Sequence, residues 1–194
     1  LIGARLGYVV FYNLSYYLRH PLEIFALWSG GLSFHGGLIG SIVAGILVCR
    51  KFKIDFWRIA DLVAVTAPIG LGLGRLGNFI NGELYGRVTD VRWAMVFPTG
   101  GPYPRHPSQV YEFLLEGAAL FVILWILKDR KLKPGALSSI FLILYGFFRF
   151  FVEFFREPDS QLGFIIGPFT MGQMLSVLVI ICGFGIMLYK QRIR

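Results

Sequence analysis

The chain alternates long apolar runs with short polar breaks, and the runs have the length of membrane-crossing helices rather than of amphipathic ones. Residues 1–13 read as the end of a span, followed by an interfacial stretch at 14–31 rich in Tyr and Trp. Further spans are predicted at 33–49, 59–78, 108–127, 136–155 and 170–189, each close to the roughly 20 residues a helix needs to cross the hydrocarbon core. A polar section containing Pro and Gly, residues 84–107, lies outside the bilayer or caps it. The expected fold is all-α: a polytopic integral membrane helix bundle with a small non-cytoplasmic loop section, in one domain over residues 1–194.

Composition agrees with this pattern. Of 194 residues 56% are hydrophobic and 15% charged, with mean hydropathy +0.65, whereas a soluble domain carries about a quarter charged residues. The net charge of +8 does not signify nucleic-acid binding, because the basic residues sit at the ends of apolar runs. Three clusters close alternate spans: Arg50, Lys51, Lys53 and Arg58; Lys128, Arg130, Lys131 and Lys133; Lys190, Arg192 and Arg194. By the positive-inside rule that face is cytoplasmic and the C-terminus lies inside. His35, Glu83, the 84–107 section and the 156–169 connection then belong to the opposite face. Cys49 and Cys182 have no paired spacing, so neither a disulfide framework nor a metal site is expected.

Gly-xxx-Gly pairs at Gly3/Gly7, Gly36/Gly40, Gly70/Gly74 and Gly82/Gly86 suggest close helix packing. The polar residues among them need a further explanation, since an ionisable group at mid-bilayer costs about 2.5–3.5 kcal/mol on insertion scales. Arg5, with Tyr8 and Tyr12 near it, either snorkels to an interface or binds substrate. His35, beside Gly36 and Gly37 at the mouth of a span, is either an interfacial histidine or a group able to accept a proton near neutral pH. The run from Gly70 to Arg87 carries Arg75, Asn78, Asn81 and Glu83 among six glycines, the last being Gly86. Its arginine offers a planar fork for phosphate, unless Arg75 and Glu83 merely form an ion pair. On the span at 136–155, Tyr145, Arg149, Glu153 and Arg156 fall within about 80° of one another at 100° per residue. That stripe faces either a polar cavity or a neighbouring helix. Together these positions suggest a cationic pocket open to the outer leaflet that accepts an anionic head group, in an enzyme or in a lipid transporter.

Five blocks carry a resemblance to a known family. They are Ser33-Phe34-His35-Gly36-Gly37-Leu38-Ile39-Gly40, the run Gly74-Arg75-Leu76-Gly77-Asn78-Phe79-Ile80-Asn81-Gly82-Glu83, Arg105-His106-Pro107-Ser108-Gln109-Val110-Tyr111-Glu112, Tyr145 through Arg149 to Arg156, and Met171-Gly172-Gln173. In this order the chain resembles bacterial prolipoprotein diacylglyceryl transferases over essentially its whole length. The resemblance implies a bacterial plasma (inner) membrane enzyme of seven spans, its C-terminus cytoplasmic. It implies transfer of the diacylglyceryl group of phosphatidylglycerol to the lipobox cysteine of a preprolipoprotein, among membrane lipids, with no metal and no organic cofactor. The catalytic residues it implies are His35, Arg75 and Arg149. Asn78, Glu83, Gly86, Tyr145, Glu153 and Arg75 itself are the substrate-binding positions, and Arg5 and Arg156 join them from the reading of the residues. Against the family pattern, the first span and part of the second are expected to be missing, so the chain reads as a fragment. The rival reading is an anionic-lipid transporter or flippase, which would hold a head group without chemistry.

The orientation is testable in intact cells. Cysteines introduced at Lys53, Lys131 or Arg192 are expected to be shielded from a membrane-impermeant thiol reagent, and cysteines at Thr99 or Ser160 to be labelled. The opposite labelling pattern would invert the topology.

Overall fold

Residues 1–157, 164–166 and 169–192 are described by the computed structural model. Arg194 and most of the expected outer connection at 156–169 lie outside them. Contacts divide the chain into two units, Leu1–Phe56 and Trp57–Arg194.

In the first unit, α1 (Ile2–Tyr12) packs on α3 (Phe34–Lys51), and between them run α2 (Leu14–Arg19) and two 3-10 turns at Pro21–Phe25 and Leu27–Ser29. Small residues make that packing possible. A Cβ at Gly7 would lie 2.8 Å from the Gly36 Cα, and one at Gly40 would lie 3.0 Å from the Gly3 Cα. The Ser33 hydroxyl caps α3 by accepting from the Gly36 N–H at 3.3 Å, and the Ser33 N–H donates to the Ala4 carbonyl at 2.9 Å.

α4 (Phe56–Asn81) starts at the last residue of the first unit and otherwise belongs to the second. α5 (Ser108–Glu112), a π-helical stretch (Phe113–Ala119) and α6 (Leu120–Leu127) then form one continuous helix. α7 (Ala136–Val152) and α8 (Met171–Arg192) pack closely side by side, with a two-stranded antiparallel ribbon, β1 (Phe164–Ile166) and β2 (Phe169–Thr170), before α8. Gly146 lets α7 approach Ile180 and the Ser176 carbonyl, and Gly183 lets α8 approach Ile143 and the Ser139 carbonyl. Val65, Leu120, Leu124 and Leu137 form the apolar core between α4, α6 and α7.

Both ends of this helix pair are capped. Asp61 of α4 accepts from the Gly135 N–H at 2.7 Å, the Ser138 N–H at 2.8 Å and the Ser138 hydroxyl at 2.7 Å. A carboxylate thus satisfies otherwise unpaired donors at the N-terminus of α7, where the helix dipole favours negative charge. At α8 the Thr170 hydroxyl accepts from the Gln173 N–H at 3.3 Å while the Gln173 side chain accepts from the Thr170 N–H at 3.1 Å. This reciprocal capping box explains the Gln in Met171-Gly172-Gln173.

Four helices, Phe34–Lys51, Phe56–Asn81, Ser108–Leu127 and Met171–Lys190, are long and apolar enough to cross a membrane, and Ile2–Tyr12 and Ala136–Val152 are shorter apolar helices. The chain is a multi-pass membrane protein of helical architecture. The 84–107 section is stitched by isolated bridges between Gly86 and Arg156, Val88 and Arg105, and Met95 and Arg105.

Two expectations are corrected. The helix at 136–155 stops at Val152, and residues 153–155 turn out of it, so Arg156 does not lie on the helical stripe. Gly70 and Gly74 do not mediate packing within the second unit: among its described residues a Cβ at either position would meet nothing within 4 Å. Gly72 does, its neighbour being Gly117 of the π-helical stretch.

The two classes of glycine should respond oppositely to alanine. Gly36→Ala, which forces a methyl group onto the α1 backbone, is expected to destabilise the protein by about 1–3 kcal/mol. Gly70→Ala is expected to be neutral or to stabilise by up to about 1 kcal/mol, through helix propensity. Thermal unfolding in detergent reads both, and a loss at Gly70 matching that at Gly36 would refute the assignment.

Candidate active site

In the second unit the chain places two carboxylates in the middle of an apolar helix, Glu112 and Glu116, one turn apart. Both side chains are completely buried. Isolated in the membrane, such groups would be expensive, and the tertiary structure surrounds them with arginines. Arg75 of α4 places Nε 3.1 Å from Glu112 Oε2 and Nη2 3.8 Å from Glu116 Oε2. Arg149 of α7 bonds Glu112 Oε1 through Nη1 and pairs with Glu153 through Nη2 at 2.9 Å. Arg156, beyond the end of α7, donates from Nη1 to Glu112 Oε1 at 3.2 Å.

Glu112 is therefore the hub on which three arginines from separate segments converge. At 3.1 Å and an effective dielectric near 20, one such pair attracts by on the order of 5 kcal/mol. Several pairs on one carboxylate can offset the several kcal/mol that desolvating each ion costs. Glu116 is held differently. Its oxygens make no hydrogen bond to any described residue and lie 3.8–3.9 Å from arginine nitrogens.

Local features deliver this arrangement. A Cβ at Gly117 would lie 2.8 Å from the Gly72 Cα, so the two glycines bring α4 against the π-helical stretch one turn before Arg75. Departures from α-helical winding of this kind occur frequently at functional sites. Glu153 is fixed from the other side by the Thr170 hydroxyl, which donates to Oε1 at 2.9 Å, and Gly172 leaves room for that carboxylate. Tyr145 stacks on Phe141 at 5.8 Å, one turn before Arg149. The alternative of an Arg75–Glu83 ion pair finds no support among the described residues: the partners of Arg75 lie at 112 and 116, and the Glu83 side chain is exposed. The Glu83 carbonyl instead accepts from the Gln109 side chain, and its N–H donates to the Asn78 carbonyl at 2.9 Å. Asn78 itself is half-buried.

Gly86 is buried where three backbone segments meet. Its N–H donates to the His106 carbonyl at 2.8 Å, and a side chain there would collide with His106 and the Phe155 carbonyl. Packing alone therefore requires glycine at position 86, which is also one of the expected substrate-binding positions. The pocket expected to be cationic is charge-compensated: Arg75, Arg149 and Arg156 face Glu112, Glu116 and Glu153.

His35 and Arg5 lie in the first unit. His35 is exposed in the first turn of α3. Arg5 is 4% exposed and spends its guanidinium on backbone carbonyls: Ile24 at 2.8 Å, Gly30 at 2.6 Å, Gly31 at 3.1 Å, Glu23 at 2.6 Å and Ala26 at 3.1 Å. A guanidinium has five N–H donors, and this set uses all of them to clamp the interfacial loop.

Sequence reasoning passed over Glu112 and Glu116 as site residues. Their signal was available: two carboxylates four residues apart inside the apolar run 108–127 require partners in a membrane.

The family model of prolipoprotein diacylglyceryl transferase matches residues 1–189. The chain is 60% identical over 189 residues to the phosphatidylglycerol–prolipoprotein diacylglyceryl transferase of Desulfotalea psychrophila, a match covering 94% of this chain and 70% of that protein. It is 61% identical over 183 residues to the protein of the same name from Geobacter sulfurreducens, with the same coverage. To that from Aliivibrio fischeri strain MJ11 it is 58% identical over 191 residues, covering 97% of this chain and 67% of the relative.

The hub can be tested through stability. Glu112→Gln leaves the guanidiniums without their shared anion and is expected to cost about 3–5 kcal/mol, as breaking a buried ion pair does. Glu116→Gln, which breaks no hydrogen bond, is expected to cost much less. Melting temperatures in detergent compare them, and equal losses would remove Glu112 from its central position.

Proposed function

The chain belongs to the prolipoprotein diacylglyceryl transferase family, and from that premise we propose that it transfers the diacylglyceryl group of phosphatidylglycerol to the lipobox cysteine of a preprolipoprotein. The observation that carries the reading is the convergence of Arg75, Arg149 and Arg156 on one buried carboxylate within the bundle. Arginines held this way cannot relax when a substrate arrives, so their remaining donors stay aimed at a developing charge. Arg75 uses Nε and Nη2 for the glutamates, which leaves the Nη1 side for a phosphate oxygen.

The reaction is a displacement at carbon. The cysteine sulfur attacks the glyceryl carbon that carries the phosphate, a C–S bond forms, and the C–O bond to phosphate breaks. The electron pair leaves on glycerol phosphate, whose growing negative charge Arg75 and Arg149 stabilise. The thiol, with an ordinary pKa near 8.5, must lose its proton to attack. His35 is the group assigned to accept it. Asn78, Glu83, Tyr145, Glu153 and Arg156 form the substrate-binding surround, with Glu153 setting the orientation of Arg149. The enzyme works in the bacterial inner membrane, with the arginine cluster towards the outer face and the C-terminus in the cytoplasm.

The direct test combines purified protein, phosphatidylglycerol and a lipobox peptide. Formation of a thioether-linked diacylglyceryl peptide is the expected result; lipid binding with no lipidated peptide would favour a transporter instead. Variants separate the roles. His35→Gln is expected to slow transfer by roughly 10²–10⁴-fold while lipid affinity is kept. That deficit should shrink as pH rises towards 8.5, where more thiol ionises unaided. Arg75→Ala is expected to weaken both lipid binding and turnover, with no relief at high pH. A His35→Gln deficit independent of pH would rule out the base and leave His35 a positioning residue.

A further inference from the structure

At the opposite end of the second unit from the arginine–glutamate cluster, α4, α6 and the start of α7 border an open cavity of about 640 Å³. This is within the roughly 300–1,000 Å³ typical of ligand sites. Arg58 and Arg75 are 17 positions apart on α4, about 25 Å along the helix axis, which nearly spans a hydrocarbon core of about 30 Å. The two regions therefore belong to different leaflets.

The lining has two parts. Arg58, Lys128 and Arg130 supply positive charge at the rim, while Leu62, Val65 and Trp125 form an apolar wall reaching into the span. Asp61 also borders the cavity, but its carboxylate is committed to the N-terminus of α7 through three hydrogen bonds. Lys128 pairs with the neighbouring Asp129 at 2.8 Å and lies 4.4 Å from the Trp125 ring centre. Arg58 and Arg130 have no ion-pair partner among the described residues. Leu62 is 65% and Trp125 52% exposed, so the wall is open sideways to lipid.

We propose that this cavity is a second lipid site, which takes the phosphodiester head group of an anionic phospholipid from the leaflet opposite the arginine–glutamate cluster. The head group lies between Arg58 and Arg130, and the first part of an acyl chain lies along Leu62 and Trp125. A soluble phosphate would use the cations but leave the wall bare; a zwitterionic lipid would cover the wall but bring its own positive charge to the rim. Only an anionic lipid satisfies both parts. Basic pockets between membrane helices are a recurrent way of holding such lipids.

Trp125 reports occupancy. In the chain with Trp28, Trp57 and Trp93 replaced by Phe, reconstituted in phosphatidylcholine bilayers, brominated phosphatidylglycerol is expected to quench Trp125. It should do so at a mole fraction on the order of tenfold lower than brominated phosphatidylcholine requires. The Arg58→Gln/Arg130→Gln double variant should erase that preference, and millimolar inorganic phosphate should not displace the lipid. A second measurement needs no tryptophan replacement: adding phosphatidylglycerol to phosphatidylcholine should raise the melting temperature of the unsubstituted chain more than that of the double variant. Equal quenching by the two lipids, a preference that survives in the double variant, or displacement by free phosphate would each overturn the proposal. Neither readout depends on diacylglyceryl transfer, so a failure of the transferase reading would leave these results standing.

Discussion

A carboxylate with no access to solvent, in the middle of a membrane helix, is tolerable only if positive charge is brought to it, and Glu112 sets this requirement for the second unit. Meeting it draws Arg75 from α4, Arg149 from α7 and Arg156 from beyond α7 to a single point. The helices can converge only where their backbones can touch. Hence Gly72 lies against Gly117 beside Arg75, and Gly86 lies under His106 and Phe155 beside Arg156. The π-helical stretch, the Thr170–Glu153 hydrogen bond and the capping box at Gln173 are further supports of the same cluster.

A candidate site built on such a hub differs from an open basic pocket. Because the guanidiniums are balanced by Glu112, Glu116 and Glu153, the resting membrane protein need not bear three unpaired cations. The same pairing holds them in fixed orientations, so little reorganisation is needed when negative charge develops on a leaving phosphate. The other end of the bundle is balanced otherwise. There Asp61 serves α7, and Arg58 and Arg130 are left facing a cavity rather than a carboxylate. The two ends of the second unit thus differ in chemistry: one is a closed set of ion pairs, the other a cavity lined by cations and apolar side chains.

Much of this was legible in the chain. Apolar runs located the helices to within a few residues, because a bilayer imposes both their length and the exclusion of charge from most of their surface. Arg75, Arg149, Glu153 and Arg156 stood out for the same reason, since charges in such runs are costly enough to need a purpose. The glycine pattern was only partly informative: Gly3, Gly7, Gly36 and Gly40 mark a helix contact, whereas within the second unit Gly70 and Gly74 do not and Gly72 does. Spacing alone cannot tell which face of a helix meets a neighbour.

What the sequence determined by itself was the family, the helical membrane architecture and the residue types of the site, because each depends on local composition and on the order of motifs. What only the tertiary structure decided was which charges meet. Arg75 could have paired with nearby Glu83, yet its partners are Glu112 and Glu116, some forty positions away; Arg5 could have faced a ligand, yet it holds five carbonyls of its own loop. Coulomb attraction and hydrogen bonding act over a few ångströms of space and are indifferent to separation along the chain. Pairing is therefore settled by where the helices pack.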